Sequence, residues 1–161
     1  MSKKILIAED NQTVGETFTQ ILQSKGYEVI WVKDGKEALD TYSKENHNAK
    51  SKGEKTFDVV LMDFAMPKMG GIDAVKGIMM MCPTQRVVFC TAFGKDLTRE
   101  IPDFEKGIEI LEKPISLAQL LNVVEGSYVK TIREKEADAK IKEWDNMSEL
   151  ETPNVGTTRS N

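Results

Sequence analysis

The chain has 161 residues, 40% of them hydrophobic and 30% charged, with a formal net charge of −4. That is enough for one domain with a real core and a surplus at one end. No apolar run approaches the ~20 residues of a membrane span, the start MSKKILIAED lacks the long apolar region of a signal peptide, and no dense Lys/Arg stripe points to direct nucleic-acid binding.

The first ~130 residues alternate strand-like and helix-like segments. KILIA (4–8) is a short apolar run that breaks into Glu9-Asp10-Asn11. Residues 12–25 carry Val14, Phe18, Ile21 and Leu22 on one face of an amphipathic helix, which Gly26 stops. YEVIWV (27–32) predicts a strand, GKEALDTYSKE (35–45) a helix and FDVVLM (57–62) a strand. Between them, NHNAKSKGEKT (46–56) is polar and without period, so an extended surface loop is expected, with His47 on the surface. GIDAVKGIMMM (71–81) predicts a helix, RVVFCTA (86–92) a strand and IEIL (108–111) another. Pro102 falls where the fourth helix of this rhythm should run, so that helix is expected to be short, broken or irregular.

SLAQLLNVVEGSYVKTI (116–132) predicts the next helix, with Ser116 as N-cap. Leu117, Leu121, Val124, Tyr128 and Ile132 share one stripe at 100° per residue. Ala137, Ile141 and Trp144 fall on the opposite side, and one straight helix cannot bury both. Either the helix breaks near 133–136, or the second stripe meets something else. Trp144 then folds back on its own domain or faces a second copy or another partner. Residues 128–151 stay helix-like as a C-terminal extension, and 152–161 are expected to be disordered. Strands alternating with helices imply a parallel sheet covered on both faces, an α/β doubly wound fold. Its ligands belong beyond the carboxyl ends of the strands.

Those ends are where the chemistry collects. Glu9 and Asp10 follow the first strand, Asp63 ends the third, Thr91 lies at the end of the fourth and Lys113 follows the fifth. One edge of a parallel sheet gathers all of them. Two carboxylates ~4 Å apart repel by ~4 kcal/mol at an effective dielectric near 20, so three require a cation. Hard oxygen ligands suit magnesium, Lys113 adds a mobile single charge, and Thr91 adds a hydroxyl. A carboxylate in that setting is a nucleophile toward phosphorus. Its neighbours would neutralise phosphoryl oxygens. The bland alternatives are that Glu9-Asp10 caps the first helix, that Thr91 is an ordinary strand residue and that Lys113 is a solvated charge. Cys82 and Cys90 both sit in apolar contexts and read as buried thiols of a reducing cytoplasm. The MMMC run at 79–82 reads as core and helix end.

Over residues 3–127 the chain closely resembles the response-regulator receiver domain of two-component signalling. The resemblance rests on Glu9-Asp10, on LMDFAMP around Asp63, on CTA at Thr91 and on EKP at Lys113-Pro114. It implies a flavodoxin-like five-stranded parallel sheet of order 2-1-3-4-5 with five helices, here as a stand-alone receiver (1–127) with the extension added. It implies that Asp63 accepts a phosphoryl group from a histidine kinase or a histidine phosphotransfer protein. Asp10, Asp63 and the backbone carbonyl of Ala65 would bind Mg2+, with Glu9 helping through water. Thr91 and Lys113 would contact the phosphoryl group, and the Lys113-Pro114 bond would be cis. The chain would be no enzyme beyond promoting its own phosphotransfer and autodephosphorylation. Output would be binding of a downstream protein in the cytoplasm, without membrane or direct nucleic-acid contact, with a homodimer through the C-terminal helix as one arrangement.

Two positions depart from the family pattern: Ile110 stands where an aromatic residue is usual, and Gly70 where an acidic or amide residue is common. Phe93 and Ala65 flank the pocket at positions that tune water access. Rival readings are weaker. A haloacid-dehalogenase-type Mg-dependent phosphohydrolase needs a second Asp where Ala65 stands. A flavin module needs a hydroxyl- and glycine-rich loop where Glu9-Asp10 would repel phosphate. A receiver-like scaffold that is never phosphorylated remains the third alternative.

Overall fold

The computed structural model describes residues 2–92, 108–127 and 129–150. Within them lie five strands, β1 (Lys4–Ala8), β2 (Glu28–Val32), β3 (Val59–Asp63), β4 (Val87–Thr91) and β5 (Glu109–Glu112). The helices are α1 (Gln12–Ser24), α2 (Gly35–Lys52), α3 (Gly71–Met81), α4 (Leu117–Glu125) and α5 (Ile132–Leu150). All strand pairs are parallel, in the order β2-β1-β3-β4-β5. The expected fourth helix around Pro102, together with Phe93, Tyr128 and 152–161, lies outside the described residues.

Alternation along the strands divides the core into two layers, because successive side chains point to opposite faces of a sheet. Leu6, Ala8, Val60, Met62, Phe89 and Ile110 face one layer, covered by Tyr42 of α2 and by Ala74, Val75 and Ile78 of α3. Ile5, Ile7, Val59, Leu61, Val88 and Cys90 face the other, under Leu22 of α1 and Leu120, Val123 and Val124 of α4. Strands buried on both faces read as continuous apolar runs, which is why VVLM and VVFC stand out in the sequence.

Three sequence expectations need correction. Residues 46–52 are not loop but the last two turns of α2, which ends at Gly53 in the left-handed region (φ 67°). Ala38, Tyr42, Asn46 and Ala49 form its buried stripe, and Asn46 fits there because its side-chain oxygen accepts from the Thr56 hydroxyl at 2.9 Å. His47 lies on this helix and is exposed. The helix predicted over 116–132 stops at Glu125, because Gly126 (φ 98°) closes it with bonds to the carbonyls of Asn122 and Val123. The buried positions of α4 are therefore Leu120, Val123 and Val124, while Leu117 is exposed. Ser116 does cap this helix, in a reciprocal box with Gln119. Finally, Cys82 is only half-buried at the end of α3, while Cys90 is buried.

After Gly126 the chain turns back along the outer edge of the sheet. Glu109 pairs with Thr131 in an antiparallel bridge. Ile110 donates its N–H to the Lys130 carbonyl at 3.0 Å, and Ile132 donates to the Ile108 carbonyl at 3.0 Å. Ile132 is completely buried among Ile108, Ile110 and Phe89, so α5 starts from an anchored residue. Lys135 adds an ion pair to Glu112 at 3.3 Å. Farther along α5, Ile141, Trp144 and Met147 are exposed, Trp144 at 80%. Among the described residues no helix is long and apolar enough to cross a membrane.

Candidate functional site

The order of the sheet reverses between β1 and β3, and a crevice opens at such a point beyond the carboxyl ends of the strands. Glu9 and Asp10 leave β1 on one side of it and Asp63 ends β3 on the other. One carboxylate oxygen from each of these three lies within 4.8 Å of the others. Glu9 and Asp63 are buried and Asp10 is exposed, so the cluster is open to solvent on one side. Glu9 and Asp10 are not the helix cap, since Asn11 takes that position and accepts from the Val14 N–H at 3.0 Å.

Lys113 reaches in from the residue after β5. Its Nζ lies 2.7 Å from Glu9 Oε2 and 3.5 Å from Asp63 Oδ1. Burial works to lower its pKa, but the hydrogen bond to Glu9 and the charges of Asp63 and Glu9 outweigh it and hold the ammonium protonated. The Lys113 N–H donates to the Thr91 carbonyl at 2.7 Å, which ties the ends of β4 and β5 together. Thr91 is buried at the end of β4, and the Lys113-Pro114 peptide is cis. Ala65 follows Asp63 by two residues in an exposed bend. Each sequence-predicted position thus lies at or just past a strand end on one rim of the sheet.

Asp63 carries the electrostatic signature of the site. Burial, then the charge of Glu9, pushes its carboxyl up to about 7, with Lys113 pulling the other way. One lysine therefore leaves the three carboxylates short of positive charge. The donor set fits a small divalent cation, which takes hard oxygen ligands and retains waters on an open side. Glu9, Asp10 and Asp63 form an acidic cluster that could hold Mg2+.

The loop after β3 is shaped around Asp63. A Cβ on Gly71 would lie 2.4 Å from the Asp63 carbonyl oxygen, so only glycine lets α3 start this close. Gly71 also donates its N–H to the Phe64 carbonyl at 3.0 Å. The sequence reading missed this use of the second glycine in KMGG, and it missed Trp31, whose indole reaches the backbone of Glu9. A single unpaired glycine inside an otherwise regular helix, at Gly15 opposite that indole, was the available signal.

Residues 5–125 match the response regulator receiver domain family. The chain belongs to that family, and its fold and acidic rim are those of a receiver domain of two-component signalling. It is 34% identical over 96 residues to the chemotaxis protein CheY of Thermotoga maritima, covering 59% of this chain and 72% of that protein. It is 30% identical over 146 residues to a hybrid signal transduction histidine kinase of Dictyostelium discoideum, covering 88% of this chain but 8% of the kinase. Among solved structures, the receiver domain of a Pseudomonas aeruginosa sensor histidine kinase superimposes with a TM-score of 0.64 at 25% identity, covering 78% of this chain and 96% of that one. That crystal structure has a magnesium ion coordinated in its active site cleft.

Proposed function

We propose that the chain is a phosphorylation-dependent switch in which Asp63 accepts a phosphoryl group from a phosphohistidine of a histidine kinase or phosphotransfer protein. The observation that carries this reading is the placing of Asp63 beside Glu9, Asp10 and Lys113 within one cluster at the sheet's switch point. An Asp63 carboxylate oxygen attacks phosphorus, the P–N bond breaks, and the departing imidazole nitrogen takes up a proton from solvent as the acyl phosphate forms. Lys113 is placed to move from Glu9 and Asp63 to a phosphoryl oxygen, and the hydroxyl of Thr91 would hydrogen-bond another. Asp10, Asp63 and the Ala65 carbonyl would hold Mg2+, with Glu9 acting through water. The bound ion supplies charge neutralisation for the phosphoryl oxygens.

Residues 1–127 would be the switch and 128–151 part of its output, which acts by binding a protein in the cytoplasm rather than by catalysis. Phosphorylation adds about −1.5 to −2 charge at one spot. The anchored start of α5 supports this division, because Lys135 of α5 meets Glu112, the neighbour of Lys113. The exposed Ile141, Trp144 and Met147 would meet the downstream protein or a second copy.

The test is incubation with Mg2+ and a small phosphodonor or beryllium fluoride, followed by intact mass and amide spectra. One labile phosphate that needs magnesium and disappears in Asp63→Asn is expected. No adduct and no spectral change would favour the unphosphorylated scaffold, and rapid turnover of unrelated phosphoesters would favour a phosphohydrolase.

A further inference from the structure

Glu9 is held by four named contacts, one of them unusual. Its N–H donates to the Val32 carbonyl at 3.0 Å. Its carboxylate accepts from the Asn11 N–H at 3.1 Å through Oε1 and from Lys113 at 2.7 Å through Oε2. Its carbonyl, however, accepts from a side chain, the indole Nε1–H of Trp31, at 2.9 Å. Trp31 belongs to β2 and lies beside Ile7 in the ladder.

We propose that Trp31 is a positioning residue for Glu9 and Asp10, fixing the peptide unit between them so that both carboxylates meet the same cation. This rests on the reading above that the pocket takes Mg2+. The carbonyl of Glu9 and the N–H of Asp10 belong to one planar group. A donor that pins the carbonyl therefore sets the direction from which the Asp10 backbone departs. Asp10 is the exposed member of the cluster, so this peptide is a main constraint on where its carboxylate begins.

The first turn of α1 is adapted to the indole. A Cβ on Gly15 would lie 2.1 Å from Trp31 Cε2 and 2.3 Å from Nε1. Glycine inside a helix is less favourable than alanine, and here it clears the seat in which Nε1 aims at Glu9. Lys33 places its Nζ 5.4 Å from the centre of the same ring. An indole that only filled space needs no aligned N–H. Simple packing predicts a loss of stability without a loss of cation affinity, which separates the two roles.

The experiment is calorimetric titration of the full chain with MgCl2 at pH 8, for the native sequence, Trp31→Phe and Gly15→Ala, beside urea unfolding of each. Phenylalanine keeps an apolar ring but has no donor, and alanine at 15 displaces the indole. The Kd for Mg2+ is expected to rise at least threefold in both. An unchanged Kd in folded Trp31→Phe, whatever its unfolding midpoint, overturns the proposal. A native chain that takes no Mg2+ sinks the pocket reading itself, and this inference with it. A measurement on the native protein needs no variant: in 15N-labelled chain, Mg2+ is expected to shift the Trp31 indole resonance and slow its hydrogen exchange. The indole of exposed Trp144 should stay put. A Trp31 indole that Mg2+ leaves unmoved counts against the proposal as decisively.

Discussion

Ile132 donates its backbone N–H to the carbonyl of Ile108 at 3.0 Å, one of the bonds that join the start of α5 to the edge of the sheet. The side chain of Ile132 is fully buried with Phe89 and Ile110. Ile132→Ala should therefore lower stability by about 2–4 kcal/mol, read as a fall in the urea midpoint. Amide exchange in 129–135 should quicken in the same variant. A change of under half a kcal/mol would mean that the segment contributes little to the fold.

Asp63 makes the protein without metal less stable as pH rises. An unfolded Asp titrates near 3.9, whereas burial and Glu9 raise the folded group to about 7. Between those values the folded state holds a proton that the unfolded state has lost, so stability is complete below pH ~4 and declines toward pH 7. Asp63→Asn removes that penalty. In EDTA at pH 7.5 the variant should unfold at a higher denaturant concentration than the native chain, by the equivalent of about 1–2 kcal/mol, and its stability should depend less on pH between 4 and 7.

The same titration couples to metal. Magnesium ligands must be deprotonated, so binding below pH 7 should expel a proton from Asp63. The affinity should weaken by up to about tenfold per pH unit well below 7. Calorimetry in buffers of different ionisation enthalpy counts that proton directly. A Kd independent of pH from 5 to 8 would remove Asp63 from the ligand set.

Lys113 pairs with Glu9 and Asp63, so on the proposed reading it would compete with Mg2+ for those carboxylates. Lys113→Met leaves those carboxylates without their ammonium partner, so Mg2+ should bind several-fold more tightly while phosphorylation by a small phosphodonor slows. The opposite directions of the two effects are the diagnostic. If both weaken together, the lysine is supporting the pocket's shape instead.

Much of the site was legible because its residues sit at strand ends, and strands buried on both faces announce themselves as apolar runs. VVLM before Asp63 and VVFC before Thr91 placed those two positions within a residue of where they lie. What escaped was set by partners far away in sequence. Asn46 reads as a loop residue until Thr56 satisfies its amide inside α2. Gly126 offered a stop signal, but Val129–Thr131 carries no pattern that points to β5, because the pairing across 20-odd residues is made by backbone atoms alone. Gln85 was invisible for the same reason. It is buried, accepting from the Tyr42 hydroxyl at 2.8 Å and donating to the Phe57 and Arg86 carbonyls.

Arg86 shows how such a residue holds the frame. It makes a two-pronged ion pair with Glu109 at 2.8 and 3.0 Å and donates to the carbonyls of Val123 and Ser127. β5, α4 and the segment after α4 therefore meet on one guanidinium. Arg86→Met should destabilise by about 2 kcal/mol, and Arg86→Lys should recover less than half, since an ammonium cannot reproduce the fork. Thermal unfolding of the three proteins distinguishes fork from charge.

The returning segment also bears on how copies of the molecule treat one another. A strand with vacant N–H and C=O groups on its flank is a template onto which another chain can add. On this flank the N–H of Ile110 and the carbonyl of Ile108 are already spoken for by the chain's own continuation. Ending the protein at residue 127 would bare that flank along with the apolar surface beneath Ile132. Concentration-dependent light scattering should then rise more steeply in the shortened form than in the full one.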